Sequence, residues 1–122
     1  NIDANSNTFT ITLTQISPPS TGTQIITLLP GYYSQVALCN QIQTQIDNFV
    51  AGAITSVEIT PSGSLRLAST GYSFTLDFTT SSNSSALAPT LGFDPLIPIT
   101  SAPVGAEEVV VSPNEVSIAS YP

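Results

Sequence analysis

The chain has 122 residues and a mass of 12.7 kDa, which is enough for one domain and one core. Eight acidic residues stand against a single base, Arg66, and there is no His, Met or Trp, so the formal charge is −7. That inventory excludes binding nucleic acid through its phosphates, disfavours anionic membranes, and removes every Ser-His or Cys-His nucleophile pair within the chain.

Charged residues make up only 7% of the chain, against about 25% in an average soluble protein. The hydrophobic fraction of 41% is too high for a disordered acidic tail. Polarity comes from Ser, Thr, Asn and Gln instead. No apolar run approaches the length of a membrane-spanning helix. The chain starts at Asn1 without a Met, as expected of a processed product or a piece of something longer, and shows no readable signal peptide. The single cysteine, Cys39, has no internal disulfide partner.

From Thr8 to Ile16, Phe9, Ile11 and Leu13 alternate with Thr8, Thr10, Thr12 and Thr14, the pattern of a half-buried strand. Pro18-Pro19-Ser20-Thr21-Gly22 breaks it, and a second strand is expected from Gln24 to Leu29, ending at the turn Pro30-Gly31. The two pair as a wide hairpin. The period then changes. Val36, Leu38 or Cys39, Ile42, Ile46, Phe49 and Val50 recur at three- and four-residue steps, which predicts an amphipathic helix. Ser34 is its N-cap, with Tyr32 or Tyr33 packing just outside, and Gly52 is its stop signal.

Three strands follow: Thr55 to Thr60, the run around Leu65 and Leu67, and Tyr72 to Phe78. Pro61-Ser62-Gly63 and Thr70-Gly71 separate them, which predicts a three-stranded antiparallel meander with the helix across its apolar face. The expected fold class is therefore α+β, an antiparallel sheet of about five strands in the order β-β-α-β-β-β with one helix packed on one face. Ser84 to Leu91 reads as a short helical turn, with Leu87, Leu91 and Phe93 plugging the core. After Asp94 the prolines Pro95, Pro98, Pro103, Pro113 and Pro122 punctuate short apolar clusters. The expected organisation is a structural domain over 1–94 and an extended Pro-rich C-terminal arm over 95–122. Such an arm would order along a neighbouring subunit, adding Val109-Val110-Val111 to a sheet edge.

Acidic residues are the candidates for chemistry. Glu58 and Asp77 face outward on the expected meander with Arg66 between them, which reads as a surface charge group worth under about 1 kcal/mol. Glu107-Glu108 with Glu115, and the oxygen-rich run Asp3-Ala4-Asn5-Ser6-Asn7, match no calcium loop and read as solvated residues. Cys39 lies on or beside the helix's apolar stripe without an activating base, as a core residue does. Asn83-Ser84-Ser85 matches the N-glycosylation pattern, a frequent triplet in a Ser-rich chain. Gly31, Gly63, Gly71 and Gly92 are isolated turn formers. No catalytic, cofactor-binding or metal-binding residue is assigned, and the chain reads as non-enzymatic.

One combination is more specific. Leu28-Leu29-Pro30-Gly31-Tyr32-Tyr33-Ser34 leads into the helix, Tyr72-Ser73-Phe74-Thr75-Leu76-Asp77-Phe78 follows, and Leu87-Ala88-Pro89-Thr90-Leu91-Gly92-Phe93 comes close behind. This order resembles a module of structural proteins in large icosahedral DNA viruses and some tailed phages. The resemblance covers roughly residues 8 to 94. It departs at the paired tyrosines, at the Pro-rich loop before the second strand, and after Asp94. It implies a virion subunit of minor capsid, penton, spike or tail-associated type, located in the virion, partnered by other virion subunits as a homo- or hetero-oligomer, and carrying no cofactor. A Ser/Thr-rich, Lys-free surface agrees, because Lys and Glu each cost about 1.5–2 kcal/mol to order at an interface. The alternative is a receptor- or glycan-binding module of a fibre or surface adhesin. Its aromatic platform would come from Tyr32, Tyr33, Tyr72 and Tyr121, the first three expected to be mainly packing.

Overall fold

The computed structural model describes residues 2–117. Elements run β1 (Thr8–Gln15), β2 (Ser20–Thr27), α1 (Gln35–Phe49), β3 (Ser56–Ile59), β4 (Ser64–Ser69), β5 (Tyr72–Asp77), α2 (Ser82–Leu91), β6 (Ile99–Thr100), β7 (Ala102–Val104) and β8 (Glu107–Glu115). The class is α+β, with two antiparallel four-stranded sheets ordered β2-β1-β5-β6 and β3-β4-β8-β7. One core joins both sheets and both helices. This corrects the expectation of a single sheet with one helix.

β1 behaves as its alternation requires. Phe9, Ile11 and Leu13 are buried, and Ile11 and Leu13 sit opposite Leu76 and Phe74 of β5. Phe78 continues the layer, its ring 5.7 Å from Phe9 and 5.1 Å from Phe93 between centroids. β1 and β2 form the expected hairpin over eight unbroken pairs, Thr8↔Thr27 to Gln15↔Ser20. β2 therefore starts at Ser20 rather than Gln24, since Thr21 and Thr23 pair as readily as the apolar residues after them.

α1 is capped as its sequence requires: the Ser34 hydroxyl accepts from the Ala37 N–H at 3.1 Å. Its buried stripe is Leu38, Cys39, Ile42 and Ile46, and it packs against β3 and β2. α2 is capped by Ser81 and closed by Gly92 at φ 88°.

Two expectations fail for identifiable reasons. β5 lies beside β1 and not beside β4, so the meander is split between the sheets. The turn is organised by Ser69, which is 1% exposed. Its hydroxyl donates to the Ala53 carbonyl and accepts from the Gly71 and Tyr72 N–H groups, which turns the chain from one sheet into the other. Alternation within a strand is the same whichever neighbour it has, so the pattern of Tyr72 to Phe78 does not choose between β4 and β1.

Among the described residues no long C-terminal arm is present. β8 is an interior strand, with Val110 opposite Leu67 and Val109 opposite Ala68 of β4. The prolines fall where a ladder tolerates them. Pro103 is in the edge strand β7, and Pro113 is near the end of β8, where the register with β4 shifts between Ser64 and Arg66. At that shift the Leu65 N–H bonds the Ser112 hydroxyl at 2.9 Å, and that hydroxyl donates to the Asn114 carbonyl at 2.7 Å. Residues 114–117 then bond to Gly92, Gly63 and Thr90 through their own backbone.

Candidate functional site

The acidic residues singled out in the sequence are placed in separate surroundings. Arg66 of β4 bonds Glu58 of β3 at 3.1 Å and Glu107 of β8 at 3.4 Å, forming a cross-strand triad on one sheet. Glu107, which adjacency in sequence would never nominate, takes the place expected of Asp77. Asp77 is on the other sheet, where its carboxylate accepts from the Thr79 N–H and hydroxyl. The Glu58 side chain is 56% exposed, so this bond contributes well under about 1 kcal/mol.

The oxygen clusters are also engaged separately. Asp3 accepts from the Asn5 N–H at 2.8 Å and the Ser6 hydroxyl at 3.0 Å, a local turn. Glu107 faces Arg66, Glu108 accepts from the Ser101 hydroxyl at 2.9 Å, and Glu115 lies over Gly63. Among the described residues, no three His, Cys, Asp or Glu side chains gather in a way that could hold a metal ion.

Cys39 is buried, and burial pushes its thiol above the ordinary value, with the nearby Glu58 charge acting the same way. A thiol held protonated is a poor nucleophile. Asn83, of the glycosylation pattern, is fully occupied. Its Oδ1 accepts from the Asn7 N–H, the Thr8 N–H and the Thr8 hydroxyl, while its Nδ2 donates to the Ala4 carbonyl and Asn7 Oδ1. Conjugating a sugar to that nitrogen would break the clamp holding residues 4–8 to α2.

The tyrosines divide. Tyr33 and Tyr72 pack against the core, and the Tyr33 hydroxyl donates to the Leu29 carbonyl. Tyr32 is 63% exposed. Tyr121 lies outside the described residues. No second exposed aromatic beside Tyr32 makes a sugar platform among the described residues.

What does stand out is where charge is missing. Asp3 and Asp47 bracket a stretch without any Asp, Glu, Lys or Arg, so all of β1, all of β2 and most of α1 are uncharged. The remaining seven acids and the lone Arg66 lie from Asp47 onward. This signal is present in the sequence and is hidden by an overall count.

Structure gives the gap a shape. The outer face of the first sheet is a lattice of small hydroxyl side chains. Thr12 is opposite Thr23 and Thr75, and Thr14 is opposite Thr21 and Ser73. Cross-strand hydroxyl pairs tie it together at 3.1 Å for Thr12 with Thr23, 3.3 Å for Thr14 with Thr21 and 2.9 Å for Thr75 with Thr100. Asp77 is the one charged residue on the paired strand positions of this face. Ile16, Ile25, Leu29, Tyr32 and Val36 are exposed apolar or aromatic residues of the uncharged stretch. A groove of about 230 Å³ runs between β2 and α1, lined by Gln24, Ile25, Ile26, Thr27, Gln45, Asn48 and Phe49. A second, of about 300 Å³, lies between α1 and β3 and adds Val36, Cys39 and Glu58.

Among the described residues no helix is long and apolar enough to cross a membrane. Comparison with protein-family models, with curated proteins and with solved structures finds no match.

Proposed function

We propose that this chain is a non-enzymatic structural subunit of a virion that acts through protein–protein assembly. The observation that carries the reading is that residues 4–46, which form β1, β2 and most of α1, bring no charge to the surface of a chain of net charge −7. A protein that stays solitary gains from charge on every face, whereas a face that will be covered gains from small residues that are inexpensive to order and desolvate. Thr and Ser meet that need, and the exposed Ile25, Leu29 and Val36 add apolar area. The virion placement draws on the resemblance of the segments Leu28 to Ser34, Tyr72 to Phe78 and Leu87 to Phe93. Partners are other virion subunits, identical or different, with no nucleic acid and no membrane.

The test is whether the full-length product co-sediments with particles and whether the isolated chain self-associates. Particle-bound, oligomeric protein supports the reading, and a strict monomer absent from particles overturns it. The alternative, a receptor- or glycan-binding module, is favoured only by exposed Tyr32. Glycan binding abolished by Tyr32→Ala would replace the assembly reading.

A further inference from the structure

We infer that β2 is a docking edge for a second copy of this chain, the two β2 strands pairing antiparallel about a two-fold axis. This deepens the assembly reading and rests on it.

Each sheet has two edges, and three of the four are blunted. β6 has two residues, β7 has three and contains Pro103, and β3 has four and carries Glu58. Shortness, proline and charge are the devices that stop an edge from recruiting another strand. β2 has none of them. It runs eight residues, Ser20–Thr27, without proline, charge or irregularity, in continuous register with β1. Among the described residues its strand pairing is to β1 alone, so every second N–H and C=O points away from the sheet.

The occupant follows from charge and from the strand itself. Two copies of a −7 chain repel each other, and β2 lies within the longest stretch, between Asp3 and Asp47, where neither brings a charge. Directly opposed residues of an antiparallel pair share a face, so a two-fold about Thr23 or Gln24 places Thr21, Thr23, Ile25 and Thr27 of both copies together. Ile25, 63% exposed in one copy, then meets Thr21 or Thr23 of the other. The hydroxyl lattice continues across the axis into an eight-stranded sheet. On the inner side, Gln24 and Ile26 border the groove beside Phe49, whose lining is uncharged.

Sedimentation of the whole chain and of three variants tests this. Thr23→Lys places like charges across the axis and is expected to weaken self-association by about tenfold or more. Mixing it with Thr23→Glu is expected to restore association, which also shows that both variants are folded. Val104→Lys, on the β7 edge, is expected to leave association unchanged. Self-association that survives Thr23→Lys, or that mixing with Thr23→Glu fails to restore, overturns the β2 contact and leaves the assembly reading standing. A wild-type chain that neither self-associates nor joins particles overturns both.

Discussion

Asn83 and Asn7 hold each other side chain to side chain, with Asn83 Nδ2 donating to Asn7 Oδ1 at 3.0 Å, although they are 76 residues apart. Asn7 passes the contact on, donating from Nδ2 to the Leu28 carbonyl at 2.9 Å. One amide thus ties α2, the start of β1 and the end of the hairpin together. Asn83→Ala removes five hydrogen bonds and leaves part-buried donors unmet, with an expected loss of about 2–3 kcal/mol. Thermal or urea unfolding measures it. Asn83→Asp keeps an acceptor oxygen but sets a carboxylate oxygen against the Ala4 carbonyl and Asn7 Oδ1 that Nδ2 serves, so it is also expected to destabilise; a variant as stable as wild type would contradict the donor role.

Gly92 is required twice over. Its φ of 88° disfavours any side chain, and a Cβ there would lie 2.3 Å from the Asn114 carbonyl oxygen. Gly92→Ala is expected to cost about 2–4 kcal/mol. Gly105 has a comparable φ of 63° with nothing within 4 Å, so Gly105→Ala isolates the conformational part, about 1 kcal/mol. Similar losses at the two positions would refute the steric account.

Truncation after Asp94 removes the interior strand β8 and its pairs with Leu67 and Ala68. The shortened chain is expected to be unfolded by circular dichroism and amide exchange. A shortened chain with native spectra would restore the idea of a detachable arm.

Cys39 titrates higher in the folded chain than in the unfolded one. At neutral pH both states hold the proton and no stability depends on it. As pH rises past the ordinary thiol value, the unfolded chain releases its proton first, so stability falls until the folded thiol also ionises. Unfolding midpoints of wild type should therefore drop more steeply in that alkaline window than those of Cys39→Ala. Folded protein should also react slowly with thiol reagents at neutral pH, and rapid labelling would contradict the burial.

How much of this is readable in the residues depends on the range of the signal. The middle of the α1 stripe, the Ser34 cap and the Phe9-Ile11-Leu13 alternation are local, and they stand in the structure where the spacing puts them, whereas Val36, expected on the stripe, is 72% exposed in the first turn of the helix. Which strand lies beside which is not local. The run Tyr72 to Phe78 alternates identically beside either neighbour, and the buried Ser69 that decides the matter looks like any turn serine. Prolines around Val109–Val111 suggest an arm until Pro103 is seen on an edge and Pro113 at a register shift. Arg66 shows the same limit: its pairing with Glu58 follows from neighbouring strands, and its pairing with Glu107 only from the sheet. The uncharged stretch from Asp3 to Asp47 is fully visible in the sequence, and it takes the fold to show that it forms one continuous hairpin and helix.

The most direct test is sedimentation velocity of the 122-residue chain at about 100 μM, well above a micromolar Kd, as salt is raised. An interface without charge on a −7 molecule gains from screening, so self-association is expected to hold or strengthen with salt. Association that dissolves as salt rises would mean that charged groups hold the copies together, and a monomer at every salt concentration would contradict the pairing of two copies through β2.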